Sequence, residues 1–283
     1  MPVEPPVVSP HELAEAYAIL ASGPVRPIAG GTDMMVALTV ELGEPPERIV
    51  NLWRLDALRG ISIEGDSISL GALTTYTEIR QSALCREHLP VLVEAAATIG
   101  AAQIQNRGTL GGNVVNASPA GDTLPVLLAA DATFVVGSAR GERTVPATEF
   151  WPAYRQTALA PDELLLRIRI PLLAGRELRF RKVGTRRAQS ISKVVLALGW
   201  RDTEQTWTGV RLALGSVAPT PIRAAATEAA LEGCPPTPET ADRAAETLAA
   251  ELHPIDDVRS TAEYRRVVAA RVLHRMIREA GGW

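Results

Sequence analysis

Apolar and polar positions change period several times along the chain, and each change marks an element. Leu13, Ala16, Tyr17 and Leu20 recur at helical spacing. This predicts a helix with Ser9 as N-cap, Pro10 at its first position and Glu12 closing a capping box. Gly23-Pro24 ends it. Arg26–Ala29 is too short to classify and runs straight into Gly30-Gly31-Thr32-Asp33. Met34–Leu42 then reads as helical and Arg48–Leu52 as a short buried strand. Ile61–Glu64 and Ser67–Leu70 alternate around Gly65-Asp66, a hairpin signature. Thr77–Ser82 and Pro90–Ile99 read as helices. The Gly-, Asn- and Ser-rich run that follows reads as a long loop, with a helix at Leu124–Ala130. Thr133–Val136 and Thr144–Ala147 flank the turn Gly137–Gly141, and Leu164–Ile170 alternates as a strand ending at Pro171. Leu172–Glu177 is the predicted domain boundary. Strands at Arg179–Val183, Lys193–Trp200 and Val210–Ser216 follow. The tail from Ile222 to Gly281 is mostly helical, broken by GCPPTPET, and Ala262–Arg278 is amphipathic. No internal repeat is visible. The order predicts an α+β chain rather than a doubly wound sheet.

At 283 residues the chain is long enough for two domains. A net charge of −3 gives no strong pull toward nucleic acid or a membrane surface. No apolar run approaches the ~18 residues of a membrane span. The opening MPVEPPVVSPHE lacks the basic and apolar segments of a secretory signal, so a cytoplasmic protein is expected. Cys85 and Cys234 lie in no Cys or Cys/His cluster, so this chain alone cannot ligate an iron–sulfur cluster through four thiolates or hold a structural zinc. Both read as inert small side chains. There are 27 arginines but only two lysines, Lys182 and Lys193, within twelve residues of each other. A lysine kept against such a bias suits a place that needs a flexible point charge rather than a planar fork.

Two segments carry candidate chemistry. In Pro27–Met34 (PIAGGTDM), glycines allow backbone N–H groups to approach an anion, and Thr32 adds a hydroxyl. A tight turn before a helix would explain the same residues. In Ile99–Pro125, Thr109 and Asn113 bracket the pair Gly111-Gly112, and Asn116, Ser118 and Asp122 continue the polar line. Asp122 can accept hydrogen bonds from ribose hydroxyls or cap the helix beginning near Thr123. Together the segments suggest two jaws on one elongated, charged ligand. No GxGxxG follows a strand and no Walker P-loop exists. No GxSxG elbow, HExxH or Cys/His pairing is present, so no catalytic set and no metal site is predicted. His11, His88, His253 and His274 read as surface or helix-start residues.

PIAGGTDM, then TIGAAQIQNRGTLGGNVVNASPAGDTLPVLLAADA, DELLLRIRIP, KVGTRRAQSISKV and GSVAPTPIRA occur in that order. Together they resemble the FAD-binding (medium) subunit of the molybdenum hydroxylases, the group of carbon monoxide and xanthine dehydrogenases. The resemblance spans nearly the whole chain. It implies an FAD-binding domain of vanillyl-alcohol-oxidase (PCMH) type in two subdomains over 1–171. A small antiparallel sheet with helices would follow over 177–281. It implies an oxidoreductase subunit that takes electrons from a small iron–sulfur subunit and passes them to an external acceptor. A large molybdopterin subunit would complete each trimer, in a dimer of heterotrimers. Molybdopterin and 2Fe-2S clusters would sit on those partners and FAD alone here.

By the same resemblance Pro27, Ile28, Ala29, Gly30, Gly31, Thr32, Asp33 and Met34 form the first diphosphate loop. Thr109, Leu110, Gly111, Gly112 and Asn113 form the second. Ile99 lies against the adenine, and Ser118 and Asp122 hold the diphosphate and ribose end. Leu165 lies near the cofactor, Lys182 at it, and Val183–Lys193 borders the isoalloxazine, with Arg186 and Ile191 closest. Gln105 stands where many relatives have Arg. Ser190 stands where many have Asp, which removes a charge near the flavin. The alternative reading is a stand-alone flavin oxidoreductase with its own organic substrate. No histidine near either Gly-Gly pair supports its covalently linked form. A non-catalytic assembly subunit without FAD would not need AGGTD, GTLGGN and SPAGD intact.

Overall fold

The computed structural model describes residues 5–39, 44–172, 174–186 and 189–283. Strand β1 (Val7–Val8), helix α1 (Leu13–Ala21), β2 (Arg26–Ile28), α2 (Met34–Thr39) and β3 (Ile49–Asn51) come first. The three strands form a parallel sheet in the order β1-β3-β2. Ala16 and Leu20 of α1 pack with Val50, Leu52, Leu55 and Leu58 beneath it. The predicted helix start is three residues early. The N-cap is Glu12, with no side-chain cap. Ser9 is drawn away because its Oγ accepts from Asn51 Nδ2 of β3 at 3.2 Å. Glu15 instead takes the His11 N–H at 3.0 Å. The predicted continuation of α2 to Leu42 lies outside the described residues.

The next unit holds β4 (Ile61–Glu64), β5 (Ser67–Gly71), α3 (Tyr76–Gln81), α4 (Ala83–His88), α5 (Pro90–Ala97), α6 (Ala102–Arg107), α7 (Leu110–Asn116), α8 (Leu124–Ala129), β6 (Thr133–Ser138), β7 (Gly141–Pro146) and β8 (Leu164–Pro171). Its five strands run antiparallel in the order β4-β5-β8-β6-β7. Both predicted hairpins form, pairing Ile61 with Leu70 and Ser138 with Gly141. The predicted long loop does not: it contains α6 and α7. Helix α7 forms because Leu110 and Val114 bury one turn apart and Thr109 Oγ1 caps it by accepting the Gly112 N–H at 3.0 Å. Phe134, Phe150 and Trp151 meet edge to face in the core, with centroids 4.7 to 5.6 Å apart.

Strands β9 (Glu177–Val183), β10 (Val194–Thr203), β11 (Thr206–Gly215) and β12 (Ile222–Arg223) form an antiparallel sheet in the order β12-β11-β10-β9. Helices α9 (Ala225–Leu231), α10 (Pro238–Glu251) and α11 (Ala262–Gly281) follow. Val195 and Ala197 of β10 join the core around α8, in which every residue is buried. Val194, Leu196 and Leu198 point the other way, into a core with α10 and α11. Burial on both faces explains the unbroken apolar run VVLALGW. The β10–β11 hairpin reaches farther than predicted, through a turn at Glu204 and Gln205, both at positive φ. Neither is the Gly or Asn that announces such a turn. Asp131, just after α8, ties the two sheets together. It meets Arg176 and Arg211 at 3.0 Å and Arg223 at 3.2 Å. Burial alone would raise its carboxyl, but the Arg176 and Arg211 guanidiniums hold it below the ordinary range.

Candidate functional site: a polar seam beside two glycine pairs

The two glycine-rich segments meet. A Cβ on Gly30 would fall on the Arg107 carbonyl, so the first loop rests directly on the backbone where α6 ends. Gly108 in turn lies on the Tyr76 ring, 3.0 Å from where its own Cβ would be. The Gly108 carbonyl accepts the Tyr76 N–H at 3.2 Å, and Thr75 and Thr109 form an isolated β-bridge. Residues far apart in sequence thus become one surface.

The segments use their amides differently. The N–H groups of Leu110, Gly111, Gly112 and Asn113 donate to Thr74 O, Ala72 O, Thr109 Oγ1 and Thr109 O at 2.9 to 3.1 Å. Gly111 is buried, and its Cβ would stand 2.5 Å from the Ala72 carbonyl oxygen. Gly112 is exposed. Among the described residues, no hydrogen bond is donated by the backbone N–H of Gly30, Gly31, Thr32, Asp33 or Met34. These residues, Asp33 apart, are half-buried. Gly31 sits at φ +78°, which lets successive amides turn to one side.

Beyond the second segment lies a buried ion pair. Lys182 Nζ is 2.5 Å from Asp122 Oδ2, and both side chains are about nine-tenths buried. The ammonium also donates to Thr98 O at 3.2 Å, and Ser192 Oγ donates to Asp122 Oδ1. Burial raises the Asp122 carboxyl above its ordinary range, and Lys182 and Ser192 oppose that shift only in part. The capping role open to Asp122 in the sequence is not taken, because α8 has no side-chain cap. Thr123 Oγ1 donates instead to Asn113 Oδ1 at 2.6 Å, tying α8 to α7. Tyr76 faces the same seam. Burial first, then the negative charges of Asp122 and Asp33, raise its hydroxyl pKa.

Other predicted residues spread outward from the seam. Ser118 Oγ accepts the Ala120 N–H at 3.3 Å in the turn before Asp122. Ile99 is half-buried, and its carbonyl accepts from Gln105 Nε2 at 2.9 Å. Gln105 is itself buried and takes Arg80 Nη1 at 2.5 Å, so it braces the Ile99 segment against α3. Leu165 lies in the core on β8. Arg186 donates to Gln189 O, and Ser190 Oγ to Arg186 O at 3.0 Å, which folds that loop on itself. Ile191 projects from the loop, 52% exposed. Arg187 and Ala188 lie outside the described residues. Ser192, Tyr76 and Thr123 are the contributors missed from sequence. Only Ser192 had a signal, its place in the loop between the two lysines. Among the described residues, no group of His, Cys, Asp and Glu is placed to hold a metal ion. No helix there is long and apolar enough to cross a membrane.

This arrangement offers amides at one end, a buried ion pair at the other, and glycines where backbone must approach closely. Chemically, such an arrangement suits an extended anionic ligand. Residues 2–173 match the family model for the FAD binding domain in molybdopterin dehydrogenase, and residues 179–280 the CO dehydrogenase flavoprotein C-terminal domain. The carbon monoxide dehydrogenase medium chain of Hydrogenophaga pseudoflava is 30% identical over 96% of this chain and 95% of its own. The xanthine dehydrogenase FAD-binding subunit of Escherichia coli O157:H7 is 31% identical over 95% of each chain. Among solved structures, the carbon monoxide dehydrogenase of H. pseudoflava superimposes with a TM-score of 0.93 at 32% identity, covering 97% of this chain and 96% of that one. Quinoline 2-oxidoreductase from Pseudomonas putida 86 gives 0.93 at 27% identity, covering 100% and 98%. The chain belongs to the family of FAD-binding subunits of molybdopterin dehydrogenases. Its cofactor is FAD, and it is part of an oxidoreductase.

Proposed function

We propose that this chain is the FAD-carrying electron-transfer subunit of a heterotrimeric molybdenum hydroxylase. It takes electrons from an iron–sulfur subunit and passes them to an external acceptor. Residues 1–171 would form the FAD domain and 177–281 the C-terminal domain. The reading extends to a cytoplasmic dimer of heterotrimers with large molybdopterin and small iron–sulfur partners.

The observation that carries the proposal is the run of undonated amides from Gly30 to Met34, wedged against the second segment. Backbone N–H groups without partners among the described residues suit a diphosphate, because they can donate to an anion without first breaking a bond within the protein. Within Pro27–Met34 those amides would do the binding, and Thr32 can add its hydroxyl. In the second segment, Gly112 and Asn113 would present the ligand-facing surface, since Leu110 and Gly111 are buried. Asn113 Nδ2 remains to donate, its Oδ1 being held by Thr123. Ile99 would flank the adenine. Ser118, Asp122 and Lys182 would order the polar end, Leu165 would back it from the core, and Arg186 and Ile191 would border the flavin. Bound FAD supplies reversible one- and two-electron redox chemistry. The protein's part is to bind, orient and exclude water. The two cysteines of the sequence fall short of the four thiolates of an iron–sulfur cluster, which supports the reading that a partner carries it.

Anaerobic stopped-flow at the flavin band tests this. With substrate alone, the flavin of this subunit is expected to stay oxidised, and adding the molybdenum and iron–sulfur subunits should bleach it. Rapid bleaching of the isolated subunit would favour the stand-alone oxidoreductase instead.

A further inference from the structure

Helix α11 buries one of its arginines. The Arg265 side chain is 4% exposed, whereas Arg275, on the same helix, is 69% exposed and pairs with Glu279. Burying a guanidinium is costly unless its N–H groups are satisfied by well-placed partners. Arg265 directs them away from its own helix. Nη1 donates to Lys193 O at 3.0 Å and Ser216 O at 2.7 Å, and Nη2 to Asp257 Oδ1 at 2.7 Å. Nε is buried without a partner among the described residues, so the side chain is placed for the two carbonyls rather than for its own full satisfaction.

The two carbonyls belong to matching chain ends. Lys193 immediately precedes β10, and Ser216 immediately follows β11. Ser216 sits at φ +65°, a conformation costly for a residue with a Cβ. It is held from three sides. Its N–H donates to Pro119 O at 2.7 Å, its Oγ donates to Ser192 O at 3.0 Å, and its carbonyl accepts from Arg265. Pro119 belongs to the turn that leads into Asp122, and Ser192 Oγ donates to Asp122 itself. A continuous polar path therefore runs from Asp257 through Arg265, Ser216 and Ser192 to the Asp122–Lys182 pair.

We infer that Arg265 is a positioning residue for the FAD site. It fixes the open ends of β10 and β11 and so sets the geometry in which Ser192 holds Asp122 against Lys182. The inference rests on assigning Asp122 and Lys182 to the FAD site, as proposed above. Lysine at 265 keeps the charge but lacks the fork that reaches both carbonyls and Asp257 together.

The test measures the FAD dissociation constant of the full chain, with the visible circular dichroism of the bound flavin. The proteins are wild type, Arg265→Lys, Ser192→Ala and their double variant, with Arg275→Ala as control. Arg265→Lys and Ser192→Ala are each expected to weaken FAD about tenfold, the effect of losing one charge-assisted hydrogen bond. Both should alter the flavin dichroism in the same sense. The double variant should bind no more weakly than the weaker single, because both changes break one path. Arg275→Ala should match wild type. A wild-type constant for Arg265→Lys, or single effects that multiply in the double, would overturn the inference. Should Arg265→Lys fail to fold, Asp257→Asn replaces it in the same cycle, with about threefold weaker FAD expected and independence from Ser192→Ala as the contrary result. Lys182→Met in the same assay separates the two readings: FAD binding unchanged by it overturns the site assignment, whereas weaker FAD in Lys182→Met with wild-type FAD in Arg265→Lys and Ser192→Ala overturns this inference alone.

Discussion

Gly30-Gly31 and Gly111-Gly112 look alike on paper and act differently in the fold. In the second pair the Gly112 N–H caps the first turn of α7 through Thr109 Oγ1, and Gly111 donates to Ala72 O and is pressed on the Ala72 backbone. In the first pair, Gly30 is pressed just as hard, on Arg107, but among the described residues the amides from Gly30 to Met34 donate no hydrogen bond. One pair is a packing joint with a single outward face at Gly112. The other is a packing joint that also presents a donor surface. Glycine content alone does not separate the two roles; the fate of each N–H does.

Substitutions can break this contrast. The largest effect is expected at Gly30→Val, where the side chain would occupy the space of the Arg107 carbonyl. Both segments must then separate, so FAD should be lost entirely and the melting temperature should fall. A variant that keeps stoichiometric FAD would refute the wedge. Gly111→Ala comes next. Its Cβ would meet Ala72 backbone, and overpacking of this kind costs about 1–3 kcal/mol. Urea unfolding should show that loss, with FAD affinity in the folded fraction changed less. Gly112→Val should do the reverse, because a Cβ there meets only Thr109 Oγ1. Stability should stay within ~1 kcal/mol while FAD release assays show at least tenfold weaker binding. Equal behaviour of the Gly111 and Gly112 variants would erase the distinction between inner and outer glycine.

The smallest effect is expected with acid, away from both pairs. The glycine joints are backbone contacts and do not titrate, whereas the Asp131 clamp between the sheets does. Its carboxyl is held below the ordinary range, so its stabilising contribution is present above that range and is lost as pH falls through the lowered value. Asp131→Asn should therefore flatten the acid limb of a pH–stability curve, while leaving its neutral part lowered slightly. A limb unchanged by the substitution would assign acid sensitivity elsewhere.

Elements with a full period were legible in the sequence: the hairpins β4–β5 and β6–β7, the strand β8 and the helix α8. The three-stranded parallel sheet was not, because strands of two or three residues carry no period. Helix α7 was hidden by its glycines and asparagines, although Thr109 as cap and Leu110 with Val114 one turn apart were visible marks of it. The rarity of lysine singled out Lys182 as a point charge, and its ammonium is buried against Asp122. Lys193 has an analogous use, its ammonium 4.9 Å over the Tyr264 ring. The partner of Asp122 could not be read locally, since Lys182 and Ser192 lie 60 and 70 residues away. Arg265 was one arginine among many until its burial set it apart.

We propose that the amides of the first pair, and not those of the second, hold FAD. Residue-resolved amide hydrogen exchange with and without FAD tests it most directly. Gly30, Gly31, Thr32, Asp33 and Met34 are expected to exchange fast in FAD-free protein and to become protected when FAD binds. Leu110 to Asn113 should be protected already and change little. Protection gained at Leu110 to Asn113, with none gained from Gly30 to Met34, would contradict it.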